Sequence, residues 1–317
     1  MKNVLCVGSI TTDIILKPVD TFPEPGKIQY IDSASMFVGG CASNAAIDLA
    51  RLGVPTCLSG KVGRDIFGDF VRRTVAAEGV DVSGLVTDDT VQTTTSILPV
   101  TSYGERSALF YCGSSSEFTD TDVDEKLIEW ADIVFIAGAL FTHKLDGEPA
   151  ARLMKKAQKM GKYTVMDTAF DPTGRWMSAI APTLPYLDLF MPSYDEAKFI
   201  SGKDEVSEMA ELFRSYGTKN IIIKCGGDGA YVLEDGSDTG YVSPAFKVTP
   251  VDTTGAGDSF CAGFITGLTL GYSFRECARL ANAVGAHCVT EIGASTGIKP
   301  LPEIIKFMEE YESRKDS

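Results

Sequence analysis

The chain has 317 residues, 44% of them hydrophobic, and its 29 Lys and Arg against 43 Asp and Glu give a net charge of −14. This length suits one large α/β domain or two modest ones. The acidic balance argues against nucleic acid or an anionic membrane as partner, because either would require a basic surface. If the ligand carries phosphates, backbone amides, lysines and bound cations must balance their charge locally.

The eight cysteines are scattered without a Cys-x-x-Cys pair, and most lie in apolar surroundings. We therefore expect reduced core thiols and a cytoplasmic protein. Residues 1–8 run directly into a strand pattern and lack the layout of a signal peptide. No apolar run approaches the roughly 18 residues of a membrane helix, so we expect a soluble protein.

Two segments of the N-terminal third read as β-structure outside the main alternation of helices and strands. Residues 13–38 are extended and rich in prolines, with a predicted strand at 28–37. Residues 88–115 are rich in Thr and Val, with predicted strands at 91–100 and 106–111. We predict that the two segments pair as a small sheet that forms a lid.

The rest of the chain alternates short apolar strands with amphipathic helices, which predicts an α/β fold with a mostly parallel central sheet flanked by helices. Without a linker of low complexity, residues 1–317 read as one domain carrying the lid. The predicted strands lie at 3–7, 56–62, 133–137, 163–167, 187–191, 221–225 and 230–233. The predicted helices lie at 42–52, 67–78, 149–160, 195–201, 205–216 and from 274 to about 290.

The stretch VDTTGAGD at 251–258 predicts a strand, a tight turn and a helix that begins near Gly257. The first N–H groups of such a helix have no backbone partner and, with the helix dipole, form an anion-binding site. The small residues Gly255 and Ala256 would let a phosphate approach those groups closely. Asp258 would repel the phosphate, so it either caps the helix or accepts a proton from a hydroxyl that attacks the phosphate. These residues alone leave both interpretations open.

A second motif, GGCASN at 39–44, places two glycines before a helix and Asn44 in its first turn. Alone, it favours a β-bulge followed by a helix cap. The two motifs together, in this order and about 200 residues apart, resemble the two signatures of the PfkB, or ribokinase-like, carbohydrate kinases. The resemblance extends over nearly the whole chain.

The resemblance implies a ribokinase-like fold in which Asp258 is the catalytic base and the amides of Gly255, Ala256 and Gly257 form the anion hole. It implies sugar contacts from Asp13, Gly39, Gly40 and Asn44. Thr11 stands where members of the family often have Asn. Some ribose kinases also carry a Glu near positions 139–141, where this chain has no acid. Both departures count against ribose as the substrate.

The nucleotide side of the site is also implied by the resemblance. Glu196, in a variant of the family's Asn-x-x-Glu motif with Ser193 in place of Asn, would organise the water shell of Mg²⁺ beside ATP. The residues expected to contact the nucleotide are Lys224, Gly226, Gly229 and Asn282. A capped helix start, a bare hairpin and an ordinary polar helix residue remain the structural alternatives at these positions.

A monovalent-cation site that would bind K⁺ as an activator is implied by five residues, Asp252, Thr254, Glu291, Gly293 and Gly297. Oxygen-rich loops suit such hard cations, although two plain surface loops would look the same. Arg106 and Arg175 are candidate ligands of an acidic or extended substrate, although a solvated arginine is the more common outcome.

Other classes fit less well. The pattern G-x-S-x-G at 293–297 would suit a hydrolase, but both histidines, His143 and His287, precede Ser295 in the chain. No Gly-Lys pair is followed by Ser or Thr, which excludes a P-loop. We predict an ATP-dependent kinase of a small sugar or sugar acid, forming a homodimer through its lid. The alternatives are a nucleoside or sugar-phosphate kinase and a non-catalytic sensor.

Overall fold

The secondary structure alternates as predicted through most of the chain. The computed structural model describes residues 1–315. The strands are β1 Val4–Gly8, β2 Thr11–Lys17, β3 Ser33–Gly39, β4 Thr56–Gly63, β5 Asp81–Asp88, β6 Thr95–Pro99, β7 Leu109–Tyr111, β8 Ile133–Ala139, β9 Tyr163–Thr168, β10 Leu189–Phe190, β11 Asn220–Lys224, β12 Ala230–Leu233 and β13 Tyr241–Ser243. The helices are α1 Cys41–Arg51, α2 Ile66–Ala77, α3 Gly113–Ser116, α4 Glu125–Trp130, α5 Glu148–Lys159, α6 Trp176–Ile180, α7 Tyr194–Ser201, α8 Val206–Ser215, α9 Ala256–Leu270, α10 Phe274–Cys288 and α11 Leu301–Lys315.

The central sheet has the strand order β13-β12-β11-β10-β9-β8-β1-β4-β5. The strands from β11 to β5 run parallel, and β12 and β13 complete one edge antiparallel. Alternate residues of β1 point to opposite faces, so that Val4 and Cys6 join one hydrophobic core while Leu5 and Val7 join the other. Burial on both faces explains why β1 and β8 are continuous apolar runs.

The predicted lid is confirmed as a separate sheet with the strand order β3-β2-β6-β7. β2 pairs antiparallel with β3 and parallel with β6, and β6 pairs antiparallel with β7. The first lid segment begins slightly earlier than predicted, because β2 starts at Thr11. The second is smaller than predicted, because its strands are only Thr95–Pro99 and Leu109–Tyr111 and α3 occupies residues 113–116.

Two strand predictions were wrong. The strand at 28–37 is displaced to Ser33–Gly39, and Ile28 and Tyr30 are 86% and 94% exposed. Apolar content was therefore a misleading signal in this proline-rich loop. The strand predicted just before the 251–258 turn is also wrong: residues 244–255 of the described chain are irregular. Pro244 and Pro250 lack an N–H to donate to a neighbouring strand, which disfavours pairing there.

Helices α9 and α10 pack unusually closely, and this fixes the position of the turn before α9. A Cβ added to Gly263 would lie 2.8 Å from the Cα of Ala281, and one added to Gly267 would lie 2.7 Å from the Sγ of Cys277. Only glycine permits this approach. The helix start thereby faces the carboxyl ends of the parallel strands, the edge at which open α/β sheets bind their ligands.

No helix within the described residues is long and apolar enough to span a membrane. Each of the eight cysteines is a free thiol, as the scattered spacing predicted.

Candidate active site

The start of α9 lies open toward the pocket. Gly255 precedes the helix with a φ of 77°, in the left-handed region, and a Cβ there would lie 2.4 Å from the carbonyl oxygen of Ala294. Glycine is therefore required at this position on two grounds. Gly255 has no side chain to cap this helix. The N–H of Ala256 donates to the carbonyl of Thr253 at 3.3 Å, whereas the N–H groups of Gly255 and Gly257 have no backbone acceptor among the described residues. Two of the three amides predicted to bind an anion, those of Gly255 and Gly257, are thus unpaired, and anion binding itself stays a prediction.

Asp258 is buried in the first turn of α9, with 9% of its surface exposed. The side-chain amide of Asn44, from α1, donates a hydrogen bond of 2.8 Å to its Oδ2. Burial raises the pKa of Asp258 to about 6, while the hydrogen bond from Asn44 and the charge of Lys224 act in the opposite direction. The carboxylate is thus oriented and largely ionised at neutral pH.

A buried ion pair lies beside this helix start. Lys224, the last residue of β11, places its Nζ 2.7 Å from Oδ1 of Asp167 near the end of β9. A Cβ built on Gly257 would lie 3.2 Å from that Nζ, so the ammonium group sits directly against the turn that offers the free amides. Although burial acts to lower it, neighbouring carboxylates, chiefly Asp167, hold the pKa of Lys224 above its ordinary value. The lysine therefore remains charged.

Glu196 lies on the same wall, at the start of α7. Its Oε2 accepts hydrogen bonds from the hydroxyl of Thr168 (3.0 Å) and from the N–H of Ser193 (2.8 Å). The hydroxyl of Ser193 in turn bonds the N–H of Glu196 at 3.4 Å. The capping box that the sequence allowed is therefore present, and Glu196 also lines the pocket. The capping interpretation is therefore confirmed, and the role of Glu196 toward Mg²⁺ stays a prediction.

These groups share one pocket of about 590 Å³. Asp258, Lys224, Glu196 and Cys41 are among its lining residues. The lining also includes residues predicted to contact the nucleotide, together with apolar side chains that could cover a flat ring: Gly226, Gly229, Asn282, Phe246 and Val289. The amide of Asn282 donates to the carbonyl and hydroxyl oxygens of Ser243, which fixes its orientation.

The predicted sugar contacts lie where the lid joins α1. Asp13 on β2 faces Gly39 on β3, and a Cβ at Gly39 would lie 2.1 Å from Oδ2 of Asp13, so the glycine makes room for the carboxylate. Burial raises the pKa of Asp13 to about 6, and Arg106 opposes that shift. Gly40 has a φ of 93° and leads directly into α1. Thr11 is buried opposite Gly39.

The loops of the predicted cation site are joined through Asp252. Its Oδ1 accepts hydrogen bonds from the N–H and hydroxyl of Thr254, and its Oδ2 accepts one from the N–H of Gly293 at 3.0 Å. Glu291 instead forms an ion pair with Lys299 at 3.0 Å. Gly297 packs against the carbonyl of His287. Asp252, Thr254 and Gly293 thus lie together, whereas Glu291 is paired with Lys299.

The two candidate arginines occupy different places. Arg106 reaches from the lid to the hydroxyl of Thr254, and its Nη1 lies 3.8 Å from Oδ1 of Asp252. Arg175 bonds Asp146 and the carbonyl of Leu140. Neither is among the described residues that line the 590 Å³ pocket.

Sequence reasoning missed Asp167, Cys41 and Phe141 as members of the site. Asp167 ended a predicted strand, and a charged residue at the carboxyl end of a buried parallel strand was the signal available for it. Cys41 and Phe141 carried no comparable signal.

The comparisons with known proteins agree with this geometry. A family model described as pfkB family carbohydrate kinase matches residues 1–301. The chain is 28% identical over 313 residues to the ribokinase of Haemophilus influenzae, covering 97% of this chain and 99% of the relative. It is 28% identical over 303 residues to the 2-dehydro-3-deoxygluconokinase of Bacillus subtilis, covering 90% of each. The crystal structure of ribokinase from Thermotoga maritima superposes with a TM-score of 0.84 at 25% identity, covering 98% of this chain and 100% of that one. The chain belongs to the PfkB family of carbohydrate kinases, phosphotransferases that act on sugar hydroxyl groups.

Proposed function

We propose that this kinase transfers the γ-phosphoryl group of ATP to a primary hydroxyl of a small sugar or sugar acid, with Asp258 as general base. The observation that carries the proposal is the buried carboxylate of Asp258 in the first turn of a helix whose amides are open to an anion. A cap needs no burial, whereas a base between the acceptor and the phosphate has to exclude water.

Asp258 acts late in the transfer, because a carboxylate is too weak a base to ionise an alcohol beforehand. Holding the hydroxyl in line with the phosphate therefore supplies much of the rate. The hydrogen bond from Asn44 fixes the carboxylate, while Oδ1 of Asn44 is buried without a partner among the described residues. That oxygen suits a substrate hydroxyl as donor.

The charge of the phosphates is met by the amides of α9 and by Lys224. The pairing with Asp167 holds the ammonium group in place before the nucleotide binds, so that little reorganisation is needed during the reaction. Such preorganised charge is worth more in a buried site than in water. The amides and the Lys224 ammonium group together also explain how a strongly acidic chain can bind a polyanion.

Mg²⁺ fits this donor set through Glu196. One oxygen of Glu196 accepts two hydrogen bonds, which leaves the other for a water of the ion. Within the described residues there is no group of three His, Cys, Asp or Glu that could hold a metal, which agrees with an ion carried mainly by phosphate oxygens and water. When bound, Mg²⁺ offsets phosphate charge.

The Asp258→Asn variant removes the proton acceptor while it keeps the size of the side chain and its capacity to form hydrogen bonds. We expect turnover to fall by about 10²-fold or more because the proton acceptor is lost, with little change in ATP affinity. ADP release and calorimetric ATP binding measure the two effects. Asp124→Asn, the same change at the start of the surface helix α4, is the control. Near-normal turnover of Asp258→Asn would overturn the mechanism.

A monovalent cation is proposed as activator. Bound near Asp252, Thr254 and Gly293, K⁺ would stabilise the loops that flank Gly255 and hence the anion hole. We expect a higher rate in KCl than in tetramethylammonium chloride at the same ionic strength. Equal rates in the two salts would refute cation activation.

A homodimer is proposed through the lid, whose apolar side chains are poorly covered: Met36, Phe37, Leu109, Phe110 and Tyr111 are between 39% and 54% exposed. β3 and β7 are also edge strands, which a second copy would protect. Light scattering at micromolar concentration should give twice the 34.0 kDa chain mass.

Leu109→Lys should shift this mass toward the monomer, because it places a charge among these exposed apolar side chains. Ile66→Lys, at an exposed apolar residue of α2, should leave it unchanged. A wild-type monomer would contradict the proposal.

The acceptor is proposed to be a ketose or sugar acid of six or more carbons. Thr11 and the absence of an acid at 139–141 remove two contacts expected for ribose, and Phe141 lines the pocket there instead. Arg106, at the lid, has a geometry that could recognise a carboxylate. The relative that is a 2-dehydro-3-deoxygluconokinase supports an acidic acceptor.

An ADP-release screen tests this choice. It compares pentoses, hexoses, 2-keto-3-deoxy acids, nucleosides and sugar phosphates at equal concentration. We expect ribose to be a poor substrate, and a preferred nucleoside or sugar phosphate would select the alternative function within the same family. The highest kcat/KM for ribose would show that the pocket is wrongly interpreted while the kinase assignment stands.

A further inference from the structure

Leu140, the residue after β8, has a φ of 84°. This left-handed conformation is unfavourable for any residue with a Cβ, and Leu140 is fully buried, so it cannot be attributed to a loose surface loop. Such strain persists only where surrounding groups enforce it.

The backbone of Leu140 is held at both ends by side chains. Its N–H donates to Oδ1 of Asp146 at 2.9 Å, and its carbonyl accepts from Nη2 of Arg175 at 2.6 Å. Nη1 of Arg175 donates to Oδ2 of Asp146 at 2.9 Å, which closes a ring of three hydrogen bonds around one strained residue. We call Arg175 and Asp146 the Leu140 clamp.

The clamp is itself rigidly supported. The Asp146 side chain is 3% exposed. The buried Asp171 accepts a hydrogen bond of 2.7 Å from the N–H of Arg175, and Nε of Arg175 donates to the hydroxyl of Thr173 at 3.0 Å. An arginine held in this way is preorganised for one geometry.

The residue that the clamp positions is Phe141. Its ring stacks on Phe110 of β7 in the lid, with centroids 5.4 Å apart and planes inclined by 25°. Phe141 also lines the pocket together with Cys41 and Asp258. This one side chain therefore joins the wall of the catalytic pocket to the lid.

We propose that Arg175 and Asp146 are positioning residues, which hold Leu140 in its left-handed conformation so that Phe141 docks the lid over the acceptor. The proposal rests on the kinase function proposed above, and assigns Arg175 a role other than direct binding of the substrate. Loss of the clamp lets Leu140 relax, moves Phe141 away from Phe110 and weakens closure of the lid.

The first experiment compares Arg175→Met with the wild type, using the acceptor with the highest kcat/KM in the screen. The KM of that acceptor should rise about tenfold, the factor that relaxation of one strained residue can supply, while kcat and the KM of ATP stay within about twofold. Hydrogen–deuterium exchange of the free protein gives a readout without any acceptor, and peptides of β6 and β7 should exchange faster. Arg152→Met removes an arginine from an exposed ion pair with Asp120 and should change neither quantity.

The second experiment is a rescue. Leu140→Gly and Leu140→Ala both delete the buried side chain, but only glycine adopts a φ of 84° without strain. In the Arg175→Met background, Leu140→Gly should restore the acceptor KM and the slow exchange of the lid to within about threefold of the Leu140→Gly single variant. Leu140→Ala should restore neither.

Three outcomes would overturn the proposal. Unchanged acceptor KM and lid exchange in Arg175→Met would show that the clamp positions nothing. If the Gly and Ala double variants have the same acceptor KM and lid exchange, strain at Leu140 is irrelevant. A raised KM in Arg175→Met would then be explained by direct contact of Arg175 with the substrate. If the Leu140 variants do not fold, Phe141→Leu decides: it should reproduce the effects of Arg175→Met with the clamp intact, and a wild-type KM would refute the proposal. If the wild type releases no ADP with any acceptor, the kinase function proposed above is wrong. The hydrogen–deuterium exchange of the lid would still test whether the clamp positions Phe141.

Discussion

The structure depends on the placement of one helix start. The amides at the beginning of α9 are open to an anion only because Gly255 turns the chain in the left-handed region, and the helix reaches the strand edge only because Gly263 and Gly267 let α10 pack against it. A Cβ at any of the three positions would collide with a neighbour. Glycines are unfavourable in and around a helix, but here they hold the unpaired amides of Gly255 and Gly257 in place.

Charged side chains of opposite sign lie next to one another around this helix start. Asp258 is held by Asn44 on one side, and on the other Lys224 lies between Asp167 and the turn at Gly257. The pocket is therefore locally prepared for phosphate although the chain carries a net charge of −14. Burying these groups is costly unless each has a partner, which explains why the Lys224 ammonium is paired before a nucleotide arrives.

The sequence carried enough information for the architecture and for the parts of the site that lie within short motifs. Helix–strand alternation predicted the central sheet, and the two interrupting β segments predicted the lid. The turn before α9 and the helix start at Glu196 could be predicted because their residues are neighbours in the chain. The prediction of a strand at 28–37 was wrong because the apolar residues of a proline-rich loop cannot be distinguished by residue type from those of a strand.

Contacts between distant residues could not be predicted in this way. Lys224 was recognised only as part of a glycine-rich loop, because its partner Asp167 is 57 positions away. Arg175 was predicted as a candidate ligand of an acidic or extended substrate. The strain at Leu140, on which its proposed role depends, is a property of the backbone that has no signature in residue type. The sequence therefore indicated candidate ligand-binding groups more readily than the groups that hold them in place.

The most direct test of Asp258 as the base is the pH dependence of kcat/KM for the acceptor at saturating ATP, because this ratio reports the ionisation of the enzyme before the acceptor binds. Burial raises the pKa of Asp258 to about 6, and the base is active only when ionised. We expect a constant value above neutrality and a fall of at least tenfold for each pH unit below about 6. Since the pKa of Asp13 also lies at about 6, the acidic limb should persist in Asp13→Asn. A value of kcat/KM that stays constant from pH 7 down to pH 5 would contradict the assignment of Asp258 as the base.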